Sequence, residues 1–289
     1  MIKISRNRIL FGAYVIFIAA FFLYYLFPSD SIKAYLVLQL SQVSPETSVT
    51  IARVSPAFPP GIRLYDVDLY HLENVWGSIE HIKIIPGILS LFGSKTTLSF
   101  KGKAYSGKLS GKAEIVSNSP AQQVVVDTNL GGIQVMDIDA LQNISRHTLS
   151  GTLDGKLAFK SDARNRSLRG NLTLSNCKVE FAAPLFNQGS LTFREVKVDL
   201  LLNNQTLNIQ KCSLEGNQMN ASISGSVIFN QRTGKNVLNL RGTIKPHHIL
   251  LAQIEKNFPV NLLKKGKSGD QGFAFKIRGT SDAPEISFN

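Results

Sequence analysis

The sequence has few of the residues from which catalytic and metal sites are most often built. It contains two cysteines and five histidines, and two cysteines without a clustered histidine do not make a zinc site. It also lacks an HExxH pair, a GxSxG elbow and a Walker-type glycine loop. These absences predict a protein that is not an enzyme and that uses no metal and no cofactor.

Acidic residues are also fewer than basic ones. Asp and Glu number 20 against 32 Lys and Arg, which gives a formal net charge of +12. A basic chain of this kind suits an anionic membrane surface, nucleic acid or an acidic protein as its partner.

Charge is missing altogether from one early stretch, which runs from Ile9 through Ile18 to Phe27. As a helix it would measure about 28 Å, close to the ~30 Å of a bilayer core. A cleaved signal peptide is the alternative, but its apolar region should be shorter and followed by a small-residue cleavage site. We therefore expect an uncleaved transmembrane helix over residues 9–27.

The residues before this stretch predict its orientation. Residues 1–8 carry Lys3, Arg6 and Arg8 and no acid, and basic flanks stay on the cytoplasmic side. The rest of the chain would then be translocated. A translocated domain has little reason to meet nucleic acid, so membrane or envelope partners are the expected ones.

Beyond the anchor, the apolar period changes from that of a helix to that of a strand. Residues 28–45 indicate a short juxtamembrane helix and linker, with Ile32, Tyr35, Leu36 and Leu40 close to one face. Residues 46–289 mostly alternate apolar and polar side chains between turn signals, and "SLRGNLTLS" and "CKVEFA" are predicted as two separate strands. In "IRLYDVDLY" the apolar face switches near Tyr65, which indicates a bulge or a turn inside the strand. The prediction is a mainly β chain, a large curved antiparallel sheet with a few short helices such as 137–144.

A recurring pattern places a glycine on the face that the strands would bury. The pattern is apolar-x-Gly-x-apolar, as in "LSGTLDGKLAF" from Leu149. Glycine within a strand permits bending and close approach, so these positions predict a strongly curved sheet. The curvature glycines are Gly111, Gly151, Gly155, Gly170, Gly225, Gly242 and Gly279.

Three features combine into a resemblance: the N-terminal anchor, the piece "ARVSPAFPPGIRLYDVDLY" and the closing "IRGTSDAPEISF". With the glycine-bearing strands, they resemble the AsmA-like superfamily of Gram-negative envelope proteins, and within it the type II secretion system protein N (GspN) family. The resemblance implies an inner-membrane protein with a periplasmic β-rich domain. It also implies an accessory role in protein secretion, and an apolar trough linked to phospholipid or lipopolysaccharide.

Several alternatives stay open at this point. Cys177 and Cys212 could pair in an oxidising compartment, or each could be a small buried apolar residue. The apolar faces could close into a flattened sandwich or form a half-open groove, because alternation is the same in both. Pro284 indicates an edge strand, which invites another strand. A basic cluster could touch anionic head groups or be a solvated loop: Lys256, Lys264, Lys265 and Lys267.

Overall fold

The computed structural model describes residues 6–41, 47–58, 60–71, 74–87, 90, 93–116, 123–144, 148–162, 164–185, 188–230, 235–248 and 272–288. The chain forms two compact units, Met1–Ile85 and Pro86–Asn289. The division falls inside the predicted β-rich domain 46–289. The first three strands build their core with a helix of the N-terminal region.

The described helices are α1 (Arg6–Tyr25), α2 (Ser29–Ser41) and α3 (Asp139–Ile144), with a 3-10 turn at Val135–Asp137. The strands are β1 (Thr47–Ala57), β2 (Gly61–His71), β3 (Asn74–Pro86), β4 (Lys95–Ala104), β5 (Gly107–Val116), β6 (Gln123–Gln134), β7 (Thr148–Ser161), β8 (Arg166–Leu185), β9 (Gln188–Asn203), β10 (Thr206–Gly216), β11 (Met219–Ile228), β12 (Val237–Pro246), β13 (Phe273–Thr280) and β14 (Pro284–Phe288). The mainly β, antiparallel class predicted from alternation is confirmed.

In the first unit, β1, β2 and β3 form an antiparallel meander with an apolar core. Helix α2 packs on β1 and contributes Ile32, Leu36 and Val37 to the cluster around the buried Val54. The predicted helical face is therefore right in Ile32 and Leu36. It is wrong in Tyr35 and Leu40, which are 62% and 40% exposed, whereas Val37 contacts the sheet.

The alternation of β2 changes phase inside the strand, as its sequence predicts. Leu64 and Val67 are three residues apart, yet both contact the core of the first unit. Between them Asp66 has a φ of 46°, a left-handed conformation that Asp tolerates better than most residues. This local turn of the backbone lets both apolar side chains lie on the same face.

Helix α1 coincides with most of the predicted anchor and ends before Phe27, which packs against the core of the first unit. Its described side chains include several large apolar ones that are strongly exposed, such as Phe11 at 69% and Tyr25 at 77%. Ile18, in the second half of the helix, is partly buried. Lys3 and the side chains of Arg6, Arg8 and Ile9 lie outside what the structure describes.

No helix within the described ranges combines the length and the apolar character that crossing a membrane requires.

In the second unit, β4–β14 follow one another as an antiparallel meander in which each described strand pairs with the next. Apart from these neighbours, the only substantial packing among its described elements brings the 3-10 turn and α3 against β7. Gln142 of α3 secures this contact, because its side-chain amide accepts from Leu149 N and donates to Leu149 O at 3.1 and 2.8 Å. The described strands of this unit thus have no second sheet packed on them.

Irregular pairing recurs near the middle of this unit. Register shifts occur between Leu130 and Ile133 on β6, near Gly151 on β7, and on β9 and β10. On β8 the irregular residue is Asn176, with a φ of 52°. The sequence suggested two strands here, but β8 is one strand, because a bulge adds a residue without ending the ladder.

Candidate functional site

The strand register places apolar residues opposite one another across all of β4–β14. Directly opposed residues of antiparallel strands share a face, so the pairs can be followed from strand to strand. One such row contains a single residue from each of the eleven strands and no polar side chain: Leu98, Ala113, Val126, Phe159, Leu168, Leu202, Leu207, Val227, Leu238, Gly279 and Pro284.

Two further rows on the same face have the same character. The second is Phe100, Gly111, Thr128, Leu157, Gly170, Leu200, Ile209, Gly225, Leu240, Ile277 and Ile286. The third is Gly102, Leu109, Leu130, Gly155, Leu172, Val198, Cys212, Ile223, Gly242, Phe275 and Phe288. Thr128 is the one polar side chain of the three rows, which we call the apolar face.

The apolar face extends about 48 Å along the sheet, from ten strand spacings of about 4.8 Å. Most of its side chains are partly buried, in contact with in-sheet neighbours but still reachable by solvent. Among its large side chains, burial is nearly complete at Phe275, which is 7% exposed. A sandwich buries its inner faces between two sheets, so this partial burial is the signature of a face without a second layer.

Tighter packing occurs next to the bulges, where Cys177, Phe193 and Val196 form a buried cluster. Both cysteine thiols are free, and β9 lies between their strands. The disulfide alternative is therefore wrong for this structure: Cys177 is opposite Phe193, whereas Cys212 is opposite Val198, further along β9. Burial raises the pKa of both thiols, so they stay protonated and weakly nucleophilic near neutral pH.

The predicted curvature glycines all lie on the apolar side of their strands, the side on which the sequence pattern places them. Six of the seven are in the three rows, and Gly151 lies at the bulge against Leu174 and Cys177. Their contacts show one reason for glycine. A Cβ on Gly111 would come within 2.5 Å of the Phe100 ring, and one on Gly242 within 2.6 Å of the Phe275 ring. Each ring belongs to the residue directly opposite and covers the glycine, while the predicted strong curvature stays a prediction.

The opposite face of the same strands is polar and carries the charges. Ion pairs cross it, including Lys95 with Glu114 at 2.7 Å and Arg194 with Glu215 at 2.8 Å. The two faces thus differ sharply in chemistry. Sequence alternation revealed this difference strand by strand, but the cross-strand rows depend on the register, which the sequence did not provide.

The last strand, β14, is an edge in the described structure, as Pro284 predicts. Its partner is β13, and no other described strand pairs with it. Ile286 and Phe288 belong to the apolar face and are 61% and 68% exposed. The edge therefore presents apolar side chains together with an unpaired strand backbone.

Some predicted site residues fall outside the described residues, namely Lys256, Lys264, Lys265 and Lys267. Among the residues that the structure does describe, no group of three or more His, Cys, Asp and Glu side chains is placed to hold a metal ion.

Comparison with protein-family models, with curated proteins and with solved structures finds no match to this chain.

Proposed function

We propose that this protein is a non-enzymatic, membrane-anchored envelope protein whose apolar face holds the acyl chains of a lipid. The observation that carries the proposal is the continuity of the three rows over eleven strands with one polar side chain among them. Phospholipid or lipopolysaccharide is the ligand class, in line with the AsmA-like resemblance.

The physical support is the cost of leaving such a surface in water. Contiguous exposed apolar patches beyond several hundred Å² are rare in soluble monomers and usually mark a binding site. Each methylene that leaves water contributes about 0.8 kcal/mol, so an acyl chain lying across several rows would gain a large binding free energy. An uncharged, partly covered face suits acyl chains because it offers no hydrogen-bond partners to satisfy.

The anchor is part of the same proposal. Helix α1 exposes large aromatic and aliphatic side chains, and Lys3, Arg6 and Arg8 would keep its N-terminus in the cytoplasm with the rest of the chain in the periplasm. The test is mass spectrometry of the protein from membranes. Retention of residues 1–27 supports the anchor, and a mature N-terminus beyond Phe27 contradicts it.

The lipid proposal is tested on the full chain by native mass spectrometry. Leu200→Lys places a charge on the apolar face, and Leu201→Lys places the same charge on the polar face of the same strand. We expect bound lipid in the wild type and in the Leu201 variant, and its loss in the Leu200 variant.

Circular dichroism of both variants checks that the fold survives, and Leu200→Asn provides a milder change if lysine unfolds the strand. A wild-type protein without lipid would refute the proposal. Equal lipid content in the Leu200 and Leu201 variants would refute it too.

A second candidate is an accessory role in type II secretion through protein contacts at an edge strand. The exposed Ile286 and Phe288 on β14 favour it, because an open strand edge readily accepts a strand from another protein. A photo-crosslinker at Ile286 should then capture identified secretion-system subunits in cells. Capture of lipid alone would favour the first candidate.

A further inference from the structure

On the polar face of the second unit, two cationic side chains lie opposite each other with no acidic residue between them. Arg241 on β12 lies directly opposite Lys276 on β13. Directly opposed residues have Cβ atoms about 4.5–5.5 Å apart, and like charges there are destabilising. Within the described part of the chain neither forms an ion pair, and the one hydrogen bond of Arg241 runs from Nε to Ser224 Oγ at 3.4 Å.

A third cation borders this pair. Lys211 lies on β10 beside the bulge, opposite Asp199. The Asp199 carboxylate already accepts a hydrogen bond from Asn171 Nδ2 at 2.7 Å. Elsewhere on the polar face the cations are neutralised more directly, as where Lys197 meets Glu195 at 2.6 Å. The row from β10 to β13 therefore keeps an excess of positive charge.

Lys211, Arg241 and Lys276 line a depression of about 440 Å³. Its polar lining residues are Gln210, Lys211, Ser222, Ser224, Arg241, Thr243 and Lys276. Those on β11, β12 and β13 alternate with residues of the apolar face and so belong to the polar face, and the residues from β10 lie at its bulge. A second depression, on the side of Ser226 and Asn239, shares Gln210, Ser224 and Arg241 with it.

We propose that this depression, which we call the basic depression, binds a phosphate group. A guanidinium and two ammonium groups provide the charge, and three hydroxyls provide additional hydrogen bonds to phosphate oxygens. Arg matches the geometry of phosphate by donating two parallel hydrogen bonds, and charge-assisted bonds of this kind are among the strongest in proteins. The phosphate could belong to a free phosphomonoester or to a lipid head group, and this site is independent of the lipid proposal because it lies on the opposite face.

The test compares wild type with the Arg241→Gln, Lys276→Gln double variant in the full chain. Inorganic phosphate is titrated calorimetrically at a constant ionic strength set with chloride. A parallel arm measures binding to phosphatidylcholine vesicles with and without phosphatidic acid. We expect saturable binding in at least one arm and a loss of at least about tenfold in affinity in the double variant.

The matched control removes two cations from another depression of the polar face. Lys156→Gln with Arg169→Gln changes the net charge equally, but that depression also contains Asp127. Binding that is retained in the control and lost in the Arg241 and Lys276 variant supports the proposal. Phosphate binding assigns the ligand to free phosphate, and binding only to phosphatidic acid vesicles assigns it to a lipid head group.

Polyglutamate, an anion without phosphate, is titrated in the same way. Three outcomes overturn the proposal: no binding in either arm, equal losses in the two double variants, and binding of polyglutamate without binding of phosphate or of phosphatidic acid vesicles. Equal losses would mean that net charge alone attracts the ligand. All the substituted side chains lie on the polar face of their strands, and circular dichroism verifies that each variant is folded. Lys276→Gln alone provides a gentler version of the same comparison.

Discussion

Both units of the chain contain antiparallel strands with one apolar and one polar face, but they differ in what lies on the apolar face. In the first unit, helix α2 packs on β1, and Ile51 and Val54 are each only 2% exposed. In the second unit, the described elements that pack on the strands are α3 and the preceding 3-10 turn, and both contact β7. Most of its apolar side chains therefore stay partly buried.

The difference shows that alternation alone does not make a core. The same period-2 pattern produces a buried cluster where a helix covers the strands. It produces a long, partly buried face where the described residues provide little cover. In the first unit a thirteen-residue helix is enough, because three strands are narrow. Eleven strands present a face about 48 Å wide, and a helix of six residues reaches little of it.

The largest expected effect is on the covered core. Ile51→Ala should destabilise the first unit by about 2–5 kcal/mol, because it leaves a cavity that its neighbours cannot fill. Leu200→Ala on the apolar face should cost only about 1 kcal/mol, since a partly buried side chain loses less contact. Hydrogen exchange of β1 and β9 amides measures each unit separately. Equal losses in the two variants would mean that the apolar face is as well covered as the core.

A smaller effect is expected at the glycines beneath aromatic rings. A Cβ on Gly242 would lie 2.4 Å from the Ser222 carbonyl oxygen and 2.6 Å from the Phe275 ring, so Gly242→Ala should cost about 1–3 kcal/mol. Adding Phe275→Leu should recover only the part of this cost that comes from the ring. Gly189→Ala is the control, because a Cβ there meets nothing within 4 Å. Urea unfolding gives both free energies. A Gly242 variant as stable as the Gly189 variant would show that the ring is not packed on the glycine.

The smallest effect concerns the two thiols, which report on the packing of the cluster around Phe193. Because burial raises the pKa of both, alkylation of either should require a higher pH than alkylation of an exposed cysteine. Cys177, which is 4% exposed, should react more slowly than Cys212 with iodoacetamide at pH 8. Peptide mass spectrometry measures both rates. Rapid reaction of Cys177, or a disulfide between the two, would contradict the packing around Phe193.

Several features could be predicted from local sequence because they depend on neighbours along the chain. Alternation predicted most strands, helical spacing predicted α2, and the phase change in "IRLYDVDLY" predicted the irregularity now located at Asp66. The glycines were assigned to the correct face for the same reason, since the side of a strand is set by counting in twos.

Other features depend on contacts that no local pattern records. Helix α2 contacts the core of the first unit through Val37 rather than Tyr35, and helical spacing alone does not specify this contact with a distant strand. The bulge at Asn176 joins two predicted strands into one, because the ladder with β9 continues on both sides of it. Arg241 and Lys276 lie opposite each other because β12 pairs with β13, which follows it in the sequence only after a long connection. Their positions in the sequence therefore did not predict this contact.

The sequence by itself determined that this chain is a mainly antiparallel β protein, that one side of each strand is apolar and the other polar, and that glycines interrupt the apolar side. These follow from the fixed period of the extended backbone. Only the tertiary structure decided that residues from eleven strands align into uncharged rows, that no second sheet of described strands covers them, and that the thiols stay apart. The physical reason is that register and layering arise from contacts between distant segments, and the same alternation is compatible with either a closed or an open face.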